Sequence, residues 1–490
     1  MRDGEVWARR APLLGAAALG LGFLARVPFW HSPLTADEGG YAEVARLWSH
    51  GRTLYEGAWV DRPQGLIVVF RAIHFLGGSS VESLRLAASA VGVLVVLGTM
   101  VVARRLTGRR ITAAAAGVLM GTVGASPFVE SFTLSGELLA SLPAVLSLLA
   151  FVLYLENRRS GWLVAAGLLT GCAVMVKQSA LDAGLAAALF LVWRDRRRAA
   201  APLGVLALST LVPLAAGAAS ATDVGAWWRA VIAYRASGDS LVTGSPLARV
   251  HLLESSLPPA AKALGLLVLL AAVGWRRSPL LARLWLVAAV VGVVGGGNFH
   301  PHYYLQLVPP LSVLGAVGIV AIAERRSRLS LAAAAAASAA TIAFTVPLWL
   351  ASPAAQARTI WPHDPHLRHD AAVARYVHAH TRAREQILVV WAAADLYYLA
   401  DRDPAIRYLW ERPLQTIADA VPQARRALDE GRPALVVLAQ RPSKLDRSGE
   451  TARILRTRYR LAAVVDTVPV YRRRSSTRNP AAATGAKAAR

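Results

Sequence analysis

Residues 11–41 read APLLGAAALGLGFLARVPFWHSPLTADEGGY. The run from Ala11 to Trp30 is almost wholly apolar and long enough, at about 1.5 Å per helical residue, to cross a bilayer core. Arg9 and Arg10 precede it, as in a secretion signal. No small-residue cleavage site precedes Trp30, however, and two adjacent carboxylates, Asp37 and Glu38, follow at once. The stretch therefore reads as an uncleaved membrane span opening into an acidic outer loop. Working outward, similar runs occur near 81–103, 111–127, 138–155, 161–177, 183–193, 200–219, 257–274, 283–297, 303–322 and 329–350. The expected fold class is a membrane α-helical protein with about eleven transmembrane helices.

The composition agrees. Of 490 residues, 55% are hydrophobic and the mean hydropathy is +0.41, which argues against an ordinary soluble domain. A formal net charge of +24 would suggest a nucleic-acid partner in a soluble chain. Here the Arg clusters lie between apolar runs, so no nucleic acid is expected. Cys172 is the only cysteine and rules out an intrachain disulfide.

Charge also sets the orientation. Arg2, Arg9, Arg10, Arg104, Arg105, Arg109, Arg110, Arg158, Arg159 and the later clusters 194–198, 276–283 and 325–328 place nineteen cations in one set of short segments. The alternate set, 31–80, 128–137, 177–182, 220–256 and 298–302, holds eight. Short basic loops stay in the cytoplasm, so the N-terminus is expected inside and the chain after about Ala351 outside. Residues 1–350 form the expected membrane domain. Residues 351–490 become charged and carry strand-like runs at Gln386–Trp391 and Ala434–Ala439, with a weaker one over Leu461–Tyr471. Helical stretches separate them, so a small extracytoplasmic α/β domain is expected, with a disordered end from about Arg474.

With that orientation, Asp37, Glu38, Arg62, Glu130, Glu137, Lys177, Asp182, His300 and His302 all fall in outer loops or at outer span ends. Ionisable groups at such depths are costly and are usually paired or functional. Tyr41, Val44, Ala45 and Trp48 recur at helical spacing after the acids, which predicts an amphipathic helix in the interface. Asp37 then has two readings, a helix cap or a reactive carboxylate. Lys177 has two as well, an ammonium snorkelling to the interface or a substrate contact. His300 and His302 flank Pro301, but no third ligand stands at standard spacing, so no structural metal is expected.

These residues resemble the polyprenyl-phosphate-dependent GT-C glycosyltransferases, of the protein O-mannosyltransferase and aminoarabinose transferase type. The resemblance rests on the Asp37-Glu38 pair and following Tyr41, on Trp59 to Pro63, and on His302-Tyr303-Tyr304-Leu305-Gln306-Leu307-Val308-Pro309; Lys177 adds a weaker match. Arg62 and Gln64 stand where the family has Lys and a second Pro. Arg keeps the charge and can grip phosphate bidentately. The resemblance implies a GT-C fold and an inverting transfer of a hexosyl or pentosyl group from a polyprenyl-phosphate sugar to an extracytoplasmic hydroxyl at the lipid bilayer. Asp37 would be the base. Arg62, Lys177 and His302 would stabilise the leaving phosphate, with Glu38, Tyr41, Glu130, Glu137 and Tyr303 as further substrate-binding residues. No cofactor is required by this chemistry, and a divalent metal is left open. The rival reading is a transporter or flippase of lipid-linked sugars. Transporters place charges near the midplane of repeated halves, whereas no repeat is visible here.

Overall fold

In the computed structural model, residues 2–325, 328–391 and 393–474 are described. The chain divides into two compact units, Met1–Arg368 and His369–Arg490. The first unit is all-helical. It comprises α1 (Arg2–Leu24), α2 (Ala36–Ser49), α3 (Gln64–Gly77), α4 (Val81–Thr107), α5 (Arg110–Thr122), α6 (Gly136–Asn157), α7 (Ser160–Val176) and α8 (Asp182–Asp195). It continues with α9 (Ala200–Ala219), the short α10 (Val224–Trp227) and α11 (Tyr234–Ala236), α12 (Pro246–Gly274), α13 (Leu280–Gly296), α14 (Val308–Arg325), α15 (Arg328–Trp349) and α16 (Pro353–Ile360).

Among the described residues, six helical segments are long and apolar enough to cross a membrane: Ala11–Phe29, Val81–Thr107, Gly136–Asn157, Ala200–Ala219, Pro246–Arg277 and Pro301–Glu324. Four further predicted runs fall on shorter apolar helices at 110–125, 160–176, 280–296 and 336–349. The run at 183–193 is α8, which gains only a residue or two at each end. The apolar helix α3 lies inside what reads in the sequence as an outer loop. Large apolar side chains such as Leu13, Leu208, Val291 and Ile342 are exposed, as a lipid-facing surface requires.

Close helix packing substitutes for a water-driven core. Gly167 and Gly171 of α7 face the carbonyls of Leu206 and Thr210 on α9; a Cβ there would lie 2.6 and 2.4 Å from those oxygens. Elsewhere in the unit, Phe29 stacks on Phe132 with centroids 4.7 Å apart. Gln356 of α16 donates to the carbonyls of Pro28 and Leu348 and accepts from the Ser32 hydroxyl. These bonds explain why the first unit extends to Arg368 rather than ending near 350.

The second unit adds α17 (Asp370–Ala379), α18 (Asp395–Ala400), α19 (Glu411–Thr416), α20 (Ala420–Asp429) and α21 (Glu450–Arg458) to a four-stranded sheet. The strands are β1 (Gln386–Val390), β2 (Pro433–Leu438), β3 (Tyr459–Val465) and β4 (Val468–Arg473), in the order β1-β2-β4-β3. β1 and β2 are parallel, and β4 is antiparallel to both β2 and β3. The weak third run of the sequence is therefore a hairpin. It reverses at Asp466 and Thr467, both at positive φ. The expected disordered end lies outside the described residues.

Candidate active site

The site begins with the acidic motif. Thr35 caps α2, its hydroxyl accepting from the Glu38 amide at 3.2 Å. Asp37 is thus a first-turn residue and not the cap. Its carboxylate is half-buried and lines a cavity of about 640 Å³. Glu38 is buried; it forms an ion pair with Arg85 of α4 and accepts from the Leu134 amide at 2.8 Å. The same Arg85 donates to the carbonyl of Pro33 at 3.1 Å. This pair locks the acidic motif to both α4 and the segment before α6. The sequence suggested that α2 lies half-wet in the interface. Instead, residues Glu38 to Leu47 are all buried, because α3 packs along α2.

Tyr41, one turn after Asp37, accepts from Arg62 Nε at 2.9 Å. Burial holds its phenol well above the ordinary range. Arg62 is fixed from several sides. Its carbonyl accepts from the Tyr55 hydroxyl at 3.2 Å. Neighbouring Asp61 takes Arg235 Nη2 at 2.5 Å, and its carbonyl accepts from Gln178. Gln64 donates to the Ser220 hydroxyl, tying this motif to the end of α9.

The structure brings both Glu130 and Glu137 to His302. His302 Nδ1 lies 3.1 Å from Glu130, and its Nε2 lies 3.8 Å from Glu137. Glu130 sits at φ 54° after a 3₁₀ turn, where the Thr133 hydroxyl and amide bond its carbonyl. Glu137, in the first turn of α6, pairs with Lys177. Lys177 follows the last turn of α7, where a cation meets the negative end of the helix. Its ammonium lies 3.8 Å from the centroid of Tyr303. His300 stacks on His302 with centroids 5.5 Å apart.

The nine named residues divide between two cavities. The larger, of about 640 Å³, is lined by Asp37, Glu38, Tyr41, Arg62, Glu130, Glu137, Lys177 and His302. The second, of about 430 Å³, shares Arg62 and Lys177 and adds Tyr303, Arg235 and Arg249. Its other wall is apolar, built by Leu185 of α8 and Ala288, Val291 and Gly292 of α13. Arg85, Arg235 and Arg249 were missed in the sequence. Each lies in or beside an apolar run on the face opposite the Arg-rich loops, and that contrast was the available signal.

With this geometry in view, the comparisons with known proteins are consistent. Residues 61–217 match the family model described as dolichyl-phosphate-mannose-protein mannosyltransferase. No curated protein matches. ArnT from Cupriavidus metallidurans, in a crystal structure bound to undecaprenyl phosphate, has a similar fold. The TM-score is 0.65 at 18% identity, covering 95% of this chain and 98% of that one. The same protein in its apo state gives 0.62 at 16% identity, covering 94% and 97%. Oligosaccharyltransferase AglB from Archaeoglobus fulgidus, solved with an inhibitory peptide and a dolichol-phosphate, gives 0.52 at 14% identity, covering 86% and 69%. At these identities the likeness is one of fold. The chain is a multi-helical membrane-type protein with the GT-C fold. The family match and the fold together bear out its resemblance to the polyprenyl-phosphate-dependent glycosyltransferases.

Proposed function

We propose that the protein is an inverting glycosyltransferase that moves a sugar from a polyprenyl-phosphate carrier to an extracytoplasmic hydroxyl. One observation carries the reading. Arg62 and Lys177 belong to both cavities, whereas Asp37 lines only the larger. A phosphate at that shared wall would meet two cations, while its polyprenyl chain follows the apolar wall of α8 and α13. Arg235 and Arg249 add charge on the same side.

The acceptor would lie in the larger cavity. Asp37 removes its hydroxyl proton as the oxygen attacks the anomeric carbon from the face opposite the phosphate. The sugar–phosphate C–O bond breaks, its electron pair leaves on the phosphate oxygen, and the cations hold that charge. Glu137 fixes Lys177 against Tyr303, and Glu38 fixes the strand of chain that carries Asp37. Both are positioning residues in this scheme. His302, held by Glu130 and Glu137, stands beside the same wall.

The test is purified protein assayed with a panel of radiolabelled polyprenyl-phosphate sugars and membrane extract. Asp37→Asn keeps shape and hydrogen bonding but removes basicity, so transfer should fall about 10²–10⁴-fold with donor binding intact. Arg62→Ala should weaken donor use by roughly tenfold or more, and Arg62→Lys should retain part of it. Near-normal transfer by Asp37→Asn would remove it as the base. Sugar-lipid translocation without transfer would favour the flippase reading.

A further inference from the structure

Asp182 has no part in the transfer chemistry above, yet it is buried where it opens α8. A carboxylate suits the positive end of a helix, but that role needs neither burial nor a tryptophan. Among the described residues no cation pairs with it. A buried charge without a counter-ion is costly unless hydrogen bonds hold it. Two do so here. Trp285 Nε1 of α13 donates to Asp182 Oδ2 at 2.7 Å, and Gln306 Nε2 donates to Oδ1 at 2.8 Å.

Gln306 has a second bond: the same nitrogen donates to the Ser179 carbonyl at 3.1 Å. Ser179 belongs to the turn between α7 and α8, in which the Ala180 amide donates to the Lys177 carbonyl at 3.0 Å. Gln306 itself stands in the 3₁₀ segment Pro301–Leu307, one turn after Tyr303. Its amide therefore ties the turn that carries Lys177 to the segment that carries His302 and Tyr303. α13 presses on the same amide, since a Cβ at Gly292 would lie 2.5 Å from Gln306 Nε2. Three walls of the second cavity thus meet at Asp182, which lines that cavity too. Asp182, Trp285 and Gln306 also share with Glu137 and Lys177 a small cavity of about 10 Å³, room for about one water. Little space separates this hub from the Glu137–Lys177 pair. The Lys177 ammonium keeps its place over the Tyr303 ring only while the two turns keep their spacing. A shift of either would carry a cation away from the shared phosphate wall, and charge contacts weaken with distance.

We propose that Asp182 is a positioning residue for donor binding: by holding Gln306 it fixes the spacing of Lys177 and Tyr303 at the phosphate wall. The inference rests on the transferase reading for the identity of that phosphate. Its test is a titration of the full chain in detergent with radiolabelled polyprenyl phosphate that carries no sugar. Asp182→Asn keeps the size of the side chain but offers one oxygen where the carboxylate has two. Trp285, fixed by its ring, retains that oxygen, and the new amide nitrogen then faces the Gln306 donor. Gln306 must turn, and its bond to Ser179 is lost. Binding should weaken about tenfold, the scale of one charge-assisted hydrogen bond. Trp285→Phe leaves the bond between Asp182 and Gln306 in place, so binding should stay near that of the wild type while the unfolding midpoint falls. Joining Asp182→Asn to Trp285→Phe frees the single oxygen for Gln306. Binding should then recover although a further hydrogen bond is gone and the midpoint is lower still. Recovery of binding against falling stability is something a mere packing role would not produce. Affinity that tracks the midpoint across the three variants overturns the proposal, as does unchanged affinity in Asp182→Asn. A wild type that binds no polyprenyl phosphate overturns the donor site itself, and a wild type that binds it no better than Asp182→Asn overturns only the role of Asp182.

Discussion

The adjacent acids at the start of α2 are held differently, and hydrogen bonds distinguish them. Thr35 supplies the cap of α2, so the capping role that the sequence allowed for Asp37 is already taken. Glu38 is 1% exposed and paired with Arg85, which is fully buried. Removing one partner of such a pair leaves an uncompensated charge and costs about 3–5 kcal/mol. Glu38→Gln is therefore expected to lower stability by that order. Thermal unfolding in detergent checks this, and an unchanged midpoint would show the pair to be dispensable. Glu38→Gln with Arg85→Met should recover part of the loss, because both charges go together. The acidic pair was legible in the sequence as a motif. Its division of labour was not, since Arg85 lies 47 positions away and only the packing of α4 brings it near.

Helices and loops show what the residue pattern could and could not carry. The apolar runs were legible because each buries or exposes a whole helical face. The burial of α2 was not, because its partner α3 is an apolar helix of only 14 residues, too short to read as a span, and follows the turn-like Asp61-Arg62-Pro63. Gly65 sets a second contact of α3, that with α7. A Cβ there would lie 2.6 Å from the carbonyl oxygen of Met175, two residues before Lys177. Gly65→Val should push α3 from α7 at a cost of about 1–3 kcal/mol and move Arg62 from Lys177. Donor binding should fall more than the stability loss explains; normal binding would mean the contact only packs. In the second unit, the hairpin of β3 and β4 was hidden in one weak run, because two short strands share a turn of positive φ. Asp446, just before α21, shows a further element-scale device. Burial works to raise its pKa, but bonds from Ser448, Thr451 and Arg425 outweigh it and hold the carboxyl far below the usual range. The unfolded chain takes up that proton near pH 4 while the folded one does not. Its contribution is thus full above about pH 4 and lost as pH falls further. Proteolysis of the second unit in the full chain should accelerate below that pH. Asp446→Asn should already be less protected at pH 7 and show a shallower acid dependence; a slope equal to wild type would discount the carboxylate.

On the scale of the whole molecule, element order and charge can be read against each other within the first unit. Glu137 opens α6, Lys177 follows α7, Asp182 opens α8, and His302 lies just before α14. Antiparallel helices whose starts and ends alternate in this way put all four residues at one end of the bundle. At the opposite ends of the same helices stand Arg158, Arg159, Arg194 and Arg196–Arg198. There Glu324, closing α14, accepts from Arg109 at 2.8 Å and from Arg277 at 2.9 Å, and Arg105 pairs with Glu156 at 3.0 Å. The unit thus has a basic end tied by exposed ion pairs and a reactive end holding both cavities. Short basic loops are retained in the cytoplasm, so we expect the basic end inside and the reactive end outside. Reporter fusions test this. Those after Arg110 and Arg198 should be active only for a cytoplasmic reporter, and a fusion after Ala351 only for an exported one. The ion pairs at the basic end are exposed and worth little each, so Glu324→Gln should not alter the result; the excess of Arg, not its pairing, sets the orientation. A cytoplasmic signal after Ala351 would put Asp37 on the wrong side for an extracytoplasmic acceptor. It would overturn the site assignment even if every local contact held.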